Sequence, residues 1–357
     1  MADAAIPLLR YRPWTGAFRG EGAQPALLFL AGQAALFGLI VALSAAPLLR
    51  LFLCFAWLGL WALAVRSRAW PIARVALAQL FRRRLFWALY ALALMLFLMT
   101  FFGQYLLSWA STQLGEADLR VGPVAKVSPQ WLVKLLRDAL KLNGSAETFR
   151  NFFWYEANTV MIVLALAGSV LIGNDLRHGS MAFYLSKPLS RWHYLLGKGI
   201  AVAVFLNLFT TLPAIALFVQ YGLLESWDYF LDNSHLLVGI LGYGLLLTAT
   251  LTVILLAMAA WLQRTVPLIM AWAAVFVFAQ AMSSALVDRL RLDPRLRLID
   301  LWNCTYVLGN RMLGLSQADI RPSPQPEAFE AALVLLGVTF ACSTYLVSRI
   351  RAVEIVR

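Results

Sequence analysis

The chain is 357 residues long, 61 % hydrophobic and only 13 % charged, with a formal net charge of +12. A soluble domain carries about twice that charged fraction, so the composition excludes a water-soluble globular protein and points to a chain that crosses a membrane several times. In such a chain the basic excess sets orientation and meets anionic lipid head groups, and nucleic acid is not the partner it implies.

Residues 1–23 are polar and basic, with Arg10, Arg12 and Arg19, and are expected to stay in the cytosol. Residues 25–46 are apolar and long enough to cross, since a span needs roughly 20 such residues. The run exceeds the roughly 7–15 residues of a signal-peptide core, so an uncleaved span is preferred. Pro47 and Arg50 mark a tight turn. Residues 51–65 are apolar but short, and they cross if Arg50 snorkels to the interface. The two runs read as a helical hairpin, with a re-entrant pair as the alternative. Basic residues on both flanks favour crossing, because both flanks then share one side. Residues 1–66 are thus set apart as a tail and an added hairpin, ahead of a main transmembrane region at 67–357.

Arg66, Arg68, Arg74, Arg82, Arg83 and Arg84 then alternate with Trp70, Ala73, Leu77, Leu80 and Phe81 at helical spacing. The spacing predicts an amphipathic helix over 69–84, lying in the cytosolic interface. Arg74 falls beside the apolar stripe rather than opposite it. Residues 85–107 form the next span, with Tyr105 and Trp109 at its far interface. Residues 108–152 read as an extracytoplasmic segment. Within it Ser128-Pro129 starts a surface helix and Asn143-Gly144 ends it. Residues 153–172 return to the cytosol. Glu156 lies near the outer end of this span, and an interfacial, solvated placement is preferred over a polar gate.

The stretch 173–198 separates two long apolar runs and carries Arg177, Lys187, Arg191 and Lys198 against Asp175. Short basic loops belong in the cytosol. Residues 179–185 can form a short helix with an apolar face. Pro188 then stops or redirects the chain, and Ser190 caps a new helix beginning at Arg191. Residues 199–222 cross outward, kinked by Pro213. Residues 223–235 carry Glu225, Asp228 and Asp232 and no Lys or Arg, which places them outside. Residues 236–262 cross inward, Gln263-Arg264-Thr265 turns, and residues 267–287 cross outward. Residues 288–330 form a second extracytoplasmic segment holding short interfacial helices and a stiff extended run at 321–326. Residues 331–347 are the last span, and Arg349, Arg351 and Arg357 hold the C-terminus inside. The fold class is an all-α polytopic membrane protein with about eight transmembrane helices. Both termini are placed in the cytosol.

The pattern Asp175, Gly179, Leu185-Ser186, Pro188, Ser190-Arg191, Tyr194-Leu195 and Gly197-Lys198, with the hydropathy layout from about Trp70 onward, resembles the membrane subunits of ABC-2-type ABC transporters. The resemblance implies a six-helix core behind an elbow helix, here carrying Arg74, Arg82, Arg83 and Arg84. It implies that 173–198 is a coupling loop docking on a separate ATP-binding cassette subunit through Asp175, Arg177, Gly179, Met181, Phe183, Tyr184, Leu185, Ser186, Lys187, Pro188, Ser190 and Arg191. It also implies a homodimer or a pairing with a related permease in the plasma (inner) membrane, with ATP and magnesium held by the partner and no cofactor held by this chain. No Gly-x-x-x-x-Gly-Lys-Ser/Thr element is present, so the chain itself is not expected to hydrolyse ATP. The expected function is the permease of an ATP-driven exporter. The alternatives are a membrane-embedded lipid- or polymer-modifying enzyme and a non-transporting scaffold for an ATPase.

Overall fold

The computed structural model describes residues 24–43, 45–63, 67, 69–113, 119–121, 125–127, 141–168 and 191–349. The first helices are α1 (Gln24–Ala42) and α2 (Pro47–Trp61), followed by α3 (Trp70–Phe81) and α4 (Arg84–Gln113). Then come α5 (Ala146–Gly168), α6 (Arg191–Phe209), α7 (Thr211–Glu225), α8 (Trp227–Asp232) and α9 (Ser234–Leu262). The rest is α10 (Thr265–Ala273), α11 (Ala279–Ser284), α12 (Leu301–Met312) and α13 (Ala328–Arg349), with π turns following α10 and α11. Among the described residues, five helical stretches are long and apolar enough to cross a membrane: Phe86–Ala110, Trp192–Glu225, Ser234–Leu262, Thr265–Arg289 and Ala328–Arg349. The polytopic helical architecture is therefore as the hydropathy pattern requires. The departure from it is a small antiparallel ladder pairing Leu119–Val121 with Ala125–Val127 inside the 108–152 segment.

The chain folds around α9. Its span is 56 % buried, against 11 % for the span within α4. It packs against α2, α5, α6, α7, α10, α12 and α13. A central place in a bundle is what a nearly uninterrupted apolar sequence specifies for a helix. Small residues let neighbours approach it. A Cβ on Gly309 of α12 would run into the ring of Tyr243 on α9. Polar side chains within the spans hold helices together. Asn207 donates to the Thr248 hydroxyl at 2.9 Å, joining α6 to α9, and Gln220 donates to the Phe101 carbonyl at 2.8 Å, joining α7 to α4.

The break between α6 and α7 falls at Thr210, just ahead of Pro213. Proline at 213 has no N–H to give the carbonyl four residues back, so the helical ladder is interrupted there. The turn after α9 is closed by Gln263 in the left-handed region, φ 54°.

Four features differ from the sequence reading. Pro47 is the first residue of α2 rather than part of a turn, because proline is tolerated where no helical donor is needed. Arg50 is consequently inside that helix. It is buried rather than snorkelling, and its guanidinium donates to Ser234 Oγ at 3.4 Å. With 15 residues, α2 rises about 22 Å and alone falls short of the roughly 30 Å hydrocarbon core. In the 288–330 segment, α12 is not a helix lying flat on a surface. It buries Trp302, Cys304, Tyr306 and Val307 against α9 and α13. The run at 321–326 bends at residues 321–324 rather than running extended.

The inter-span segments meet at one end of the bundle. Tyr229 donates to the Gly144 carbonyl at 2.6 Å, and buried Arg150 donates to the Asp319 carbonyl at 3.1 Å. The three segments expected to share one side of the membrane are therefore bonded to one another.

Candidate functional site

Two elements flank the proposed docking loop, and the structure brings them together. Pro71 sits in the first turn of α3, where its fixed φ suits a helix start. Ile72, Ala73, Ala76, Leu77 and Leu80 then recur on one face and are buried. This face packs against α6, which begins at Arg191 directly after the loop. The approach is tight at Gly197. A Cβ there would lie 2.7 Å from the Ala69 carbonyl oxygen and 2.7 Å from Ile72 Cβ. Only glycine admits the backbone of α3 so near to α6. Beside it, Lys198 is 2 % exposed and Tyr194 is fully buried. The Lys198 ammonium stands 5.7 Å from the centroid of the Tyr194 ring, within reach of a cation–π interaction.

The elbow helix ends at Phe81, earlier than expected, and Arg84 opens α4. The corner between them is fixed by aromatic packing. Trp87 donates its indole N–H to the Phe81 carbonyl at 2.9 Å, and Phe86 packs edge-on against both Phe81 and Trp87. Arg82, Arg83 and Arg84 are exposed at this corner, and Arg74 is exposed on α3 itself.

Asp175, Arg177, Gly179, Met181, Phe183, Tyr184, Leu185, Ser186, Lys187, Pro188 and Ser190 lie outside the described residues, and of Arg191 only the backbone, at the start of α6, is described. The structure thus describes the elbow and the helix leaving the loop, but not the expected docking residues between them.

Glu156 is not solvated. It is fully buried in α5, and neither carboxylate oxygen has a hydrogen-bond partner among the described residues. The interfacial placement expected for it is therefore overturned. The reason is non-local, since α5 is enclosed by α4, α9, α10 and α12. Sequence reasoning also passed over Gln104 and Tyr243, whose buried side-chain polar atoms lack partners among the described residues.

Asp300 lies between the last two membrane-length helices and caps α12, accepting from the Trp302 amide at 2.9 Å. Burial pushes its carboxyl up from the ordinary 3.8 to about 6, against the backbone N–H groups of Asn303 and Trp302 and the nearby Arg297 charge, which pull it down. The folded chain therefore keeps a proton that the unfolded chain releases between about pH 4 and 6. Stability due to Asp300 is full below that window and falls as pH rises through it, by on the order of 3 kcal/mol. Asp300→Asn retains the cap and removes the titration. In thermal melts from pH 4 to 6.5, the advantage of wild type over this variant should shrink as pH rises. A constant difference would reject the assignment.

Membrane-length helices around a buried central helix, entered through an amphipathic helix packed across the start of α6, make this a polytopic membrane protein built on an elbow and a bundle. A family model described as ABC-2 family transporter protein matches residues 70–346, and the chain belongs to that family. The match opens at Trp70, the first residue of α3, and leaves the α1–α2 hairpin outside. No curated protein matches the chain significantly. The chain is accordingly a permease-type membrane component of a transporter.

Proposed function

We propose that this chain is the permease subunit of an ATP-driven exporter, working with a separate ATP-binding cassette subunit that holds ATP and magnesium. The observation that carries the reading is the seating of α3 on α6 at Gly197, near the end of the stretch 173–198 and past its expected docking residues. In this reading the loop docks on the ATPase, and movement of the ATPase passes into α6 directly and into α4 through the α3 corner. A rigid connection between a ligand-biased element and the spans is what mechanical coupling requires. Two such subunits, identical or related, enclose the pathway. The acidic segment containing Glu225, Asp228 and Asp232 faces away from the cytosol, and the arginine-rich corner at 82–84 faces it, with both termini. The apolar character of the spans favours a lipid-like or amphipathic cargo.

The test is reconstitution. The purified chain alone should hydrolyse no ATP. Co-expressed with an ATP-binding cassette protein encoded beside it, it should copurify with that protein and raise its turnover when cargo is present. Hydrolysis by the clean chain would overturn the permease reading, and a stable complex whose turnover no cargo alters would favour a scaffold.

A further inference from the structure

A cavity of about 330 Å³ lies between the α1–α2 hairpin and the core, walled by Trp57 and Trp61 of α2, Trp70 of α3, Ile215 of α7, and Leu241 and Leu245 of α9. That volume falls within the range of small-ligand pockets. The wall is almost wholly apolar. Of its polar groups, Asn207 Nδ2 is already committed to the Ala203 carbonyl and Thr248 Oγ1 at 2.8 and 2.9 Å, which leaves the Thr211 hydroxyl as a buried group without a partner among the described residues. A polar cargo would lose its own hydration here and gain little in exchange. A hydrocarbon chain loses nothing.

The rim has a different chemistry. Trp61 ends α2 and Trp70 begins α3, so two indoles frame one end of the cavity. The Trp61 indole N–H is buried and has no partner among the described residues, and a lipid ester carbonyl is an acceptor suited to it. Arg74 lies four residues after Trp70 on α3, which places the two side by side on one helical face. It is exposed, makes no ion pair among the described residues, and stands in a stretch, 66–84, with six arginines and no acid. This is the arginine that falls beside the apolar stripe rather than opposite it. Guanidinium forks bind phosphate bidentately.

We infer that this cavity is a phospholipid site: one acyl chain lies between the hairpin and the core, and the phosphate of an anionic lipid from the adjoining leaflet rests on Arg74. The hairpin, which lies outside the family match, then acts as the outer wall of a lipid site added to the core, whatever the transported cargo.

The inference is tested on the full chain in mild detergent by native mass spectrometry, with dioleoyl phosphatidylglycerol or dioleoyl phosphatidylcholine added. Wild type should retain one phosphatidylglycerol per chain at least tenfold more strongly than phosphatidylcholine. Arg74→Gln should erase that preference. Ala203→Phe, which fills the cavity, should lose the retained lipid of either kind. Arg82→Ala, an exposed corner arginine away from the cavity lining, should change nothing and reports a folded control. Equal retention of the two lipids by wild type would mean ordinary annular lipid and overturn the site. So would an equal effect of Arg82→Ala, which would reduce the preference to overall charge, or an unaltered preference in Arg74→Gln.

Discussion

Gly197→Ala is expected to destabilise the protein and to uncouple it from its ATPase, although alanine is the better helix former. In an exposed helix the exchange stabilises by about 1 kcal/mol. At 197 the new methyl would stand 2.7 Å from the Ala69 carbonyl oxygen and 2.9 Å from Ile72 Cγ2. The first of these is backbone, which cannot swing aside, so α3 must move off α6. Overpacking of this kind costs about 1–3 kcal/mol, enough to reverse the sign. Gly199 provides the control on the same helix. Among the described residues a Cβ there meets only Thr252 Cγ2, at 3.7 Å, an ordinary contact. Gly199→Ala should therefore melt at or above the wild-type temperature while Gly197→Ala melts several degrees below it. In the assembled complex, Gly197→Ala should retain basal ATP hydrolysis and lose its stimulation by cargo. Equal melting of the two variants would show that the approach of α3 to α6 is not tight. Normal stimulation in a destabilised Gly197→Ala would show that the elbow does not transmit movement.

The pair Gly197–Lys198 shows how much was legible beforehand. The sequence marks it as part of a family pattern and as the entrance to a span, and local chemistry allows no more. Its role depends on α3, more than a hundred residues earlier, lying across it. The same limit applies to Arg50. A lone arginine in an apolar run reads as interfacial because its partner, Ser234, is supplied by a distant helix. Glu156 reads as solvated for the converse reason: distant helices pack around α5, which looks peripheral along the sequence. Features that depend on period and composition were legible. They include the amphipathic stripe of α3, the interruption ahead of Pro213 and the turn at Gln263. The packed position of α12 was not, because a short segment mixing Asn, Thr and Cys with apolar residues has no hydropathy signature of burial. Some of its polar atoms are satisfied within the fold: Asn303 donates to Gln325 at 2.9 Å and Asn310 to the Tyr306 carbonyl at 2.7 Å, while the Trp302 indole N–H and Asn310 Oδ1 have no partner among the described residues.

Phe183→Ala and Tyr184→Ala are each expected to weaken the complex with the ATP-binding subunit by about 2 kcal/mol or more, roughly 30-fold in affinity. The expectation rests on the sequence of the loop and on family membership. Residues 179–185 offer Met181, Phe183, Tyr184 and Leu185 within one short segment, and aromatic anchors dominate the energetics of most interfaces. Arg177, Lys187 and Arg191 flank them in the sequence. Charges at a rim govern encounter rate and register more than affinity, so Arg191→Ala should cost less and should show itself mainly as a slower, salt-dependent association. The competing account places these aromatics in the lipid interface, where Tyr is common. The alanine variants would then bind the ATPase normally and lose only thermal stability. Binding measured in detergent on material matched for folded protein separates the two accounts. Unchanged affinity in both aromatic variants would remove the docking role from this segment, while an Arg191→Ala loss exceeding theirs would make the interface chiefly electrostatic.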